Sequence, residues 1–247
     1  MKRNHAETVL TSVPYLIWMV VFTVIPLLLV TYFAFTDETG AFTMANLSAV
    51  REYVAVIFRS IWLAFIATML CLLIAYPLSY IISRAPQRRQ RTYLLLVMLP
   101  MWINFLLRTY AWMTLLENTG IINRLLGIFG IGPLSMINTQ GAVVLGMVYN
   151  YLPFMILPLY SVMTKIENSL IEAAQDLGAP RSTVFSSVVL PLSMPGVMTG
   201  ITMVFVPAVS TFIISRMLGG GSNMMIGDLI ELQFLGNAYN PNLGAAI

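Results

Sequence analysis

Apolar residues run through this chain in long blocks bounded by charge. Between Glu7 and Asp37 no position is charged, and the same holds from Arg59 to Arg84, from Arg124 to Lys165 and from Arg181 to Arg216. A further apolar run starts after Arg91 and is interrupted only by Arg108. A helix needs about 20 apolar residues to cross the hydrocarbon core of a bilayer. The pattern therefore predicts five membrane-spanning helices, near 12–35, 60–83, 92–116, 139–164 and 193–216. The first is too long for a signal-peptide core and no small-x-small cleavage site follows it, so a retained helix is expected. Leu243–Ile247 is apolar again and looks like the opening of a sixth span that the sequence leaves incomplete. The expected fold is an all-α integral membrane protein of about six helices, with residues 1–247 forming a single transmembrane domain.

Composition narrows the classes further. Of 247 residues, 58% are hydrophobic and 9% charged, and the mean hydropathy is +0.83. Soluble domains carry about 25% charged residues, and disorder needs low hydrophobicity, so both are excluded. The net charge of +3 comes from 13 Lys and Arg over 10 Asp and Glu. That excess is too small for the broad basic face of a nucleic-acid binder, and no nucleic-acid partner is expected. One cysteine, Cys71, and one histidine, His5, exclude an internal disulfide and a metal site built on several such ligands.

The basic residues also set an orientation. Arg84, Arg88, Arg89 and Arg91 crowd the turn between the second and third spans, which marks it as cytoplasmic. The N-terminal tail with Lys2 and Arg3 and the segment Lys165–Pro191 then fall on the same side. Asp37, Glu38, Glu52, Glu117, Asp228 and Glu231 fall outside. Residues 36–59 and 117–138 are too long for tight turns. The glycine-rich apolar stretch at 118–134 is expected to hold a short interfacial helix.

The segment after Lys165 is the longest polar stretch. Ser169 followed by Glu172 predicts a capping box and a helix start. Gly178 is placed for a left-handed residue just past the helix end, and Pro180 for the first turn of a second helix. Leu170, Ala174 and Leu177 share one face, with Glu172, Gln175 and Asp176 opposite. A short amphipathic helix, a turn and a second helix leading into a span at Leu190-Pro191 are expected.

Glu172-Ala173-Ala174, three residues, Gly178, nine residues and Val188-Val189-Leu190-Pro191 closely resembles the EAA signature of bacterial ABC-importer permeases, with Val188 in place of the usual Ile. The resemblance implies a type I importer permease fold. It also implies that residues 166–191 form a coupling segment which docks on an ATPase subunit, carried by Glu172, Ala173, Ala174, Gly178, Leu190 and Pro191. Three further stretches resemble spermidine/putrescine permeases, most like the first of the two unlike permease subunits: Leu99–Asn104 with Leu107–Tyr110, Leu152–Ser161, and Met217–Gly221 with Ile226-Gly227 and Gln233–Leu235. This resemblance implies a polyamine importer in a bacterial inner membrane. Its partners would be a second permease subunit, two ATPase subunits holding ATP and magnesium on the cytoplasmic face, and an extracytoplasmic polyamine-binding protein.

The residues speak against other classes. The only lysines, Lys2 and Lys165, do not follow glycine, so the chain has no phosphate-binding Gly-Lys-Ser/Thr loop and no cofactor of its own is expected. An ion-coupled secondary transporter often places acidic groups within its spans, whereas here they lie at predicted span ends or outside. An intramembrane hydrolase lacks its histidines and its Gly-x-Ser-x-Gly elbow. An importer of another small solute stays open as an alternative. Arg108, counted along a straight helix from Thr92 at about 1.5 Å per residue, would lie about 24 Å in and snorkel outward. Tyr149, Asn150, Tyr151 and Pro153 are the candidate lining of a translocation pathway. The tyrosines offer aromatic faces to an alkylammonium, and the proline frees a backbone carbonyl.

Overall fold

A computed structural model describes residues 13–236 and 238–247. The tail with Lys2, Arg3 and His5, and the first residue of the first predicted span, lie outside the described residues. The elements are α1 (Val13–Ala34), α2 (Ala45–Arg84), α3 (Gln87–Trp102), α4 (Phe105–Leu116), α5 (Ile121–Ile128), α6 (Gln140–Met163), α7 (Asn168–Asp176), α8 (Arg181–Val209), α9 (Ile213–Gly219), α10 (Ile226–Leu235) and α11 (Pro241–Ala246). Four of them, α1, α2, α6 and α8, are long and apolar enough to cross a membrane, and the α3–α4–α5 run makes a fifth if taken as one bent span.

Several boundaries differ from the expectation. The second span starts earlier, at Ala45, so most of residues 36–59 is helical. The third is broken, with α3 and the helix after it meeting at 86°. Pro100 lies in the last, tightened turn of α3, and Asn104 caps the new helix by accepting the Leu106 amide at 2.8 Å. The fifth does not run to Arg216: α8 ends at Val209 and α9 is separate. It also starts earlier, at Arg181, as one continuous helix rather than a helix followed by a span. A π-turn at Phe185–Val189 directly precedes Pro191 in α8, and another at Val20–Val24 precedes Pro26 in α1. A widened turn lets the helix pass a ring that would otherwise clash with the preceding turn.

The described residues form two compact units. One comprises residues up to Ala55 with Leu229–Ile247. Here the Asn242 amide donates to the Phe33 and Thr36 carbonyls at 3.2 and 2.6 Å, tying α11 to the end of α1. The apolar side chains of α1 are largely exposed, as lipid-facing residues are.

The other unit, Val56–Asp228, holds the core. Along α2 a stripe of small residues, Ser60, Ala64, Ala67, Cys71, Ala75 and Ser79, is fully buried. Ser79 donates to the Ile156 carbonyl of α6 at 3.2 Å. On α8, Gly196 and Gly200 stand four apart against α6: a Cβ at Gly196 would lie 3.0 Å from the Pro158 carbonyl oxygen, and one at Gly200 2.6 Å from Met155 Sδ. In a membrane, where burial of apolar area gives helices little reason to associate, small residues permit the close approach that holds them together. Tyr76 of α2 and Ser193 of α8 share a hydrogen bond of 2.8 Å between their hydroxyls.

Candidate functional site: the segment between two spans

Residues 164–191 leave the end of α6, form α7, turn at Gly178 and re-enter the bundle as α8. The turn is a Schellman motif. The Ala179 amide donates to the Ala174 carbonyl at 3.1 Å and the Gly178 amide to the Gln175 carbonyl at 2.8 Å. Gly178 sits at φ +80°, where any Cβ is strained although the space around it is open. Pro180 is the cap residue before α8 rather than part of its first turn, and its carbonyl accepts from the Thr183 and Val184 amides.

The helix start departs from the expected capping box. Glu167 holds the cap position without a side-chain cap bond, and the Ser169 hydroxyl donates to the Glu167 carboxylate at 3.1 Å. Because α7 begins at Asn168, Ser169 is already inside the first turn and Glu172 is too far along to reach back. Glu172 is exposed and caps nothing.

The apolar face of α7 is divided. Ile171 and Ala174 are half-buried against the bundle, whereas Leu170 is 47% and Leu177 88% exposed. With the small, exposed Ala173, they present an apolar, low-relief edge away from the protein. Behind α7, a cavity of about 410 Å³ is lined by Ile171, Gln175, Arg181, Val184, Phe185, Val189 and Tyr80. Leu190 is half-buried and Pro191 exposed, and they lie along α8 beyond the π-turn rather than beside Glu172.

The same end of this unit carries the four arginines, which stand in helices rather than in a connecting loop: Arg84 ends α2, and Arg88, Arg89 and Arg91 lie in the opening turns of α3. Arg84 donates to the Ile166 carbonyl and to Asn168 Oδ1, and the Tyr160 hydroxyl donates to Gln90 Oε1 at 2.8 Å. Neither link was foreseen in the sequence, since 82 and 70 residues separate the partners. At the opposite end, Arg59 reaches the Ser222 carbonyl at 2.9 Å. Asp228, outside the spans, is buried rather than exposed in a loop, with Oδ2 accepting the Met225 amide at 2.8 Å. Burial pushes its carboxyl above the ordinary carboxylate range, opposed by the Ser215 hydroxyl, the Met225 amide and the Arg216 charge.

The four pathway candidates lie mid-way along α6 and differ in surroundings. Tyr149 is half-buried, edge-on to Trp112 with ring centroids 5.4 Å apart. Asn150 is 1% exposed, donates to the Gly146 carbonyl at 2.9 Å, and its Oδ1 has no hydrogen-bond partner. Tyr151 is buried and its hydroxyl donates to the Pro207 carbonyl at 3.3 Å. Pro153, also buried, leaves the Tyr149 carbonyl without a helical donor. Arg108 stands in the first turn of α4, past the 86° bend, so the straight-helix depth does not apply. Its guanidinium lies 5.9 Å from the centroid of the Phe105 ring.

Comparison with known proteins fits this architecture. Residues 75–247 match the family described as binding-protein-dependent transport system inner membrane component. The spermidine/putrescine transport system permease protein PotB of Haemophilus influenzae is 39% identical over 228 residues, covering 88% of this chain and 80% of that protein. PotB of Escherichia coli is 36% identical over 239 residues, covering 93% and 86%. Among solved structures, a bacterial alginate ABC transporter in complex with an alginate pentasaccharide-bound periplasmic protein has the same fold, with a TM-score of 0.80 at 17% identity over 97% of this chain and 86% of that one. The chain belongs to the inner membrane component family of binding-protein-dependent transport systems.

Proposed function

We propose that this chain is the permease subunit of an ATP-driven polyamine importer. The observation that carries the substrate class is the identity of 36–39% with spermidine/putrescine permeases, sustained over 88–93% of the chain. The mechanism is supported by α7. A helix with exposed Leu170, Ala173 and Leu177, held between two spans, suits a groove on a separate ATPase that supplies the nucleotide and its magnesium. Closure of the ATPase pair then displaces α7 and, through the Gly178 turn and the continuous helix Arg181–Val209, tilts a membrane span. A second permease subunit encloses the pathway and an extracytoplasmic binding protein delivers the substrate.

In this reading the Arg84–Arg91 segment faces the cytoplasm, as arginine retention dictates. An impermeant thiol reagent added from outside should label a cysteine placed at Tyr239 and not one at Gln87, and the reverse would invert the molecule. Within the pathway, Tyr149 offers a π-face and the freed Tyr149 carbonyl a dipole. A cation–π contact is worth about 0.5–2 kcal/mol, so Tyr149→Leu should slow polyamine uptake several-fold at unchanged membrane level. The substrate class is tested by proteoliposomes holding the four-component system. ATP-dependent uptake of radiolabelled spermidine or putrescine, competed by the unlabelled polyamine, is the expected result. Import of only a neutral or anionic solute would reject the polyamine and leave the permease role standing.

A further inference from the structure

The arginine cluster at the junction of α2 and α3 contains one member unlike the rest. Arg88, Arg89 and Arg91 are exposed, as a topology signal requires, but Arg84 is turned into the protein. It is the last residue of α2, and its guanidinium lies 5.5 Å from the centroid of the Tyr80 ring one turn earlier. From there Nη1 donates to the Ile166 carbonyl at 3.1 Å and to Asn168 Oδ1. Ile166 is buried, and Asn168 is the first residue of α7. One side chain thus joins the end of a membrane span to the first turn of the docking helix.

Two further observations give this link weight. The first turn of α7 has no side-chain cap of its own, and the Arg84 guanidinium bonds its first residue from outside the helix. In addition, Nε and Nη2 of Arg84 are shielded from solvent without a hydrogen-bond partner. Burying unpaired donors is unfavourable, and a site needing only packing would be better served by an apolar side chain. What arginine adds is reach and charge: one nitrogen, Nη1, donates to both Ile166 and Asn168, in bonds strengthened by the guanidinium charge. Beside it, Gln90 donates to the Ser83 and Ala85 carbonyls at 3.1 and 2.7 Å and accepts from Tyr160 of α6. The junction is therefore bound both to α7 and to the span before it.

We propose that Arg84 is a positioning residue for coupling: it clips the first turn of α7 to the end of α2, so that displacement of α7 by the ATPase moves α2 together with α8. This rests on the reading of α7 as the segment the ATPase moves. Without the clip, α7 passes its motion along its own chain, back across residues 164–167 to α6 and forward through Gly178 into α8, and loses its hydrogen bonds to the end of α2.

The test uses the assembled importer in proteoliposomes, with radiolabelled spermidine uptake and ATP hydrolysis measured together. Arg84→Ala is expected to lower uptake about tenfold and to raise the ratio of ATP hydrolysed to spermidine imported by a similar factor, the scale set by losing charge-assisted bonds. A merely structural role would lower the amount of complex and leave that ratio unchanged. Arg84→Lys combined with Asn168→Asp replaces the cation–amide link with an ion pair across the same gap and should recover about half of wild-type uptake or more. Wild-type uptake and ratio in Arg84→Ala would overturn the proposal. If Arg84→Ala fails to reach the membrane, Arg84→Lys with and without Asn168→Asp decides: higher uptake in the double variant supports the clip, and equal uptake overturns it. Gly178→Asp, run alongside, separates the two layers. Lost uptake there beside a normal Arg84→Ala rejects the clip alone, whereas normal uptake in Gly178→Asp rejects the coupling role of α7.

Discussion

Glu172 illustrates how a residue can keep its place in a motif while losing the local role its spacing suggests. The Ser169–Glu172 spacing is that of a capping box, yet α7 begins at Asn168 and the Ser169 hydroxyl turns back to Glu167. A sequence records the spacing of a cap but not the register at which the helix starts; here the first helical residue is Asn168, whose side chain accepts from Arg84, 84 residues away. Gly178 was legible because its role is intrinsic: a left-handed residue ends the helix wherever it stands. Since Glu172 caps nothing and is exposed, Glu172→Ala should leave the melting temperature of the purified complex unchanged. Glu172→Lys reverses a charge on the exposed surface of α7 and should reduce co-purification of the ATPase subunits several-fold. A large drop in melting temperature for Glu172→Ala would return Glu172 to a structural role.

At the scale of elements, hydrophobic runs located the spans and missed their interruptions. Apolarity reports what surrounds a helix, not its direction, so the 86° bend after α3 is invisible in a hydropathy count. The bend was nonetheless written in Pro100 and in Asn104, which caps the next helix. The end of α8 at Val209 was hidden for the same reason: Thr211 to Leu218 is almost as apolar as the helix it follows. The packing of α6 on α8 was encoded locally, in Gly196 and Gly200. A larger side chain at Gly196 meets backbone, the Pro158 carbonyl, and the β-branched Val162, neither of which can swing aside. Gly196→Leu should therefore destabilise the complex by about 1–3 kcal/mol, read as a lower melting temperature in detergent. Gly196→Ala should cost less, because alanine recovers up to about 1 kcal/mol of helix propensity. Equal stability of wild type and Gly196→Leu would show that α6 and α8 do not approach as described.

For the whole molecule, the sequence establishes a membrane permease, and the structure adds how the segment 164–191 is built into the bundle. Its outward edge, Leu170, Ala173 and Leu177, has no partner within this unit, while its start is tied to α2 through Arg84 and its end, past the Gly178 turn, is the first part of the unbroken helix α8. Such a helix makes sense if another chain moves it. The pathway is less legible: the contacts of Tyr149 and Tyr151 lie within this chain, and the surface facing a second permease subunit is a property of the pair. The most direct test compares wild type and Gly178→Asp in membranes holding the complete importer, following ATP-dependent spermidine uptake alongside the amount of permease present. An aspartate at φ +80° strains the turn between α7 and α8. The account predicts ATP-dependent uptake by the wild type and loss of nearly all of it in Gly178→Asp at equal membrane level; undiminished uptake by that variant would contradict it.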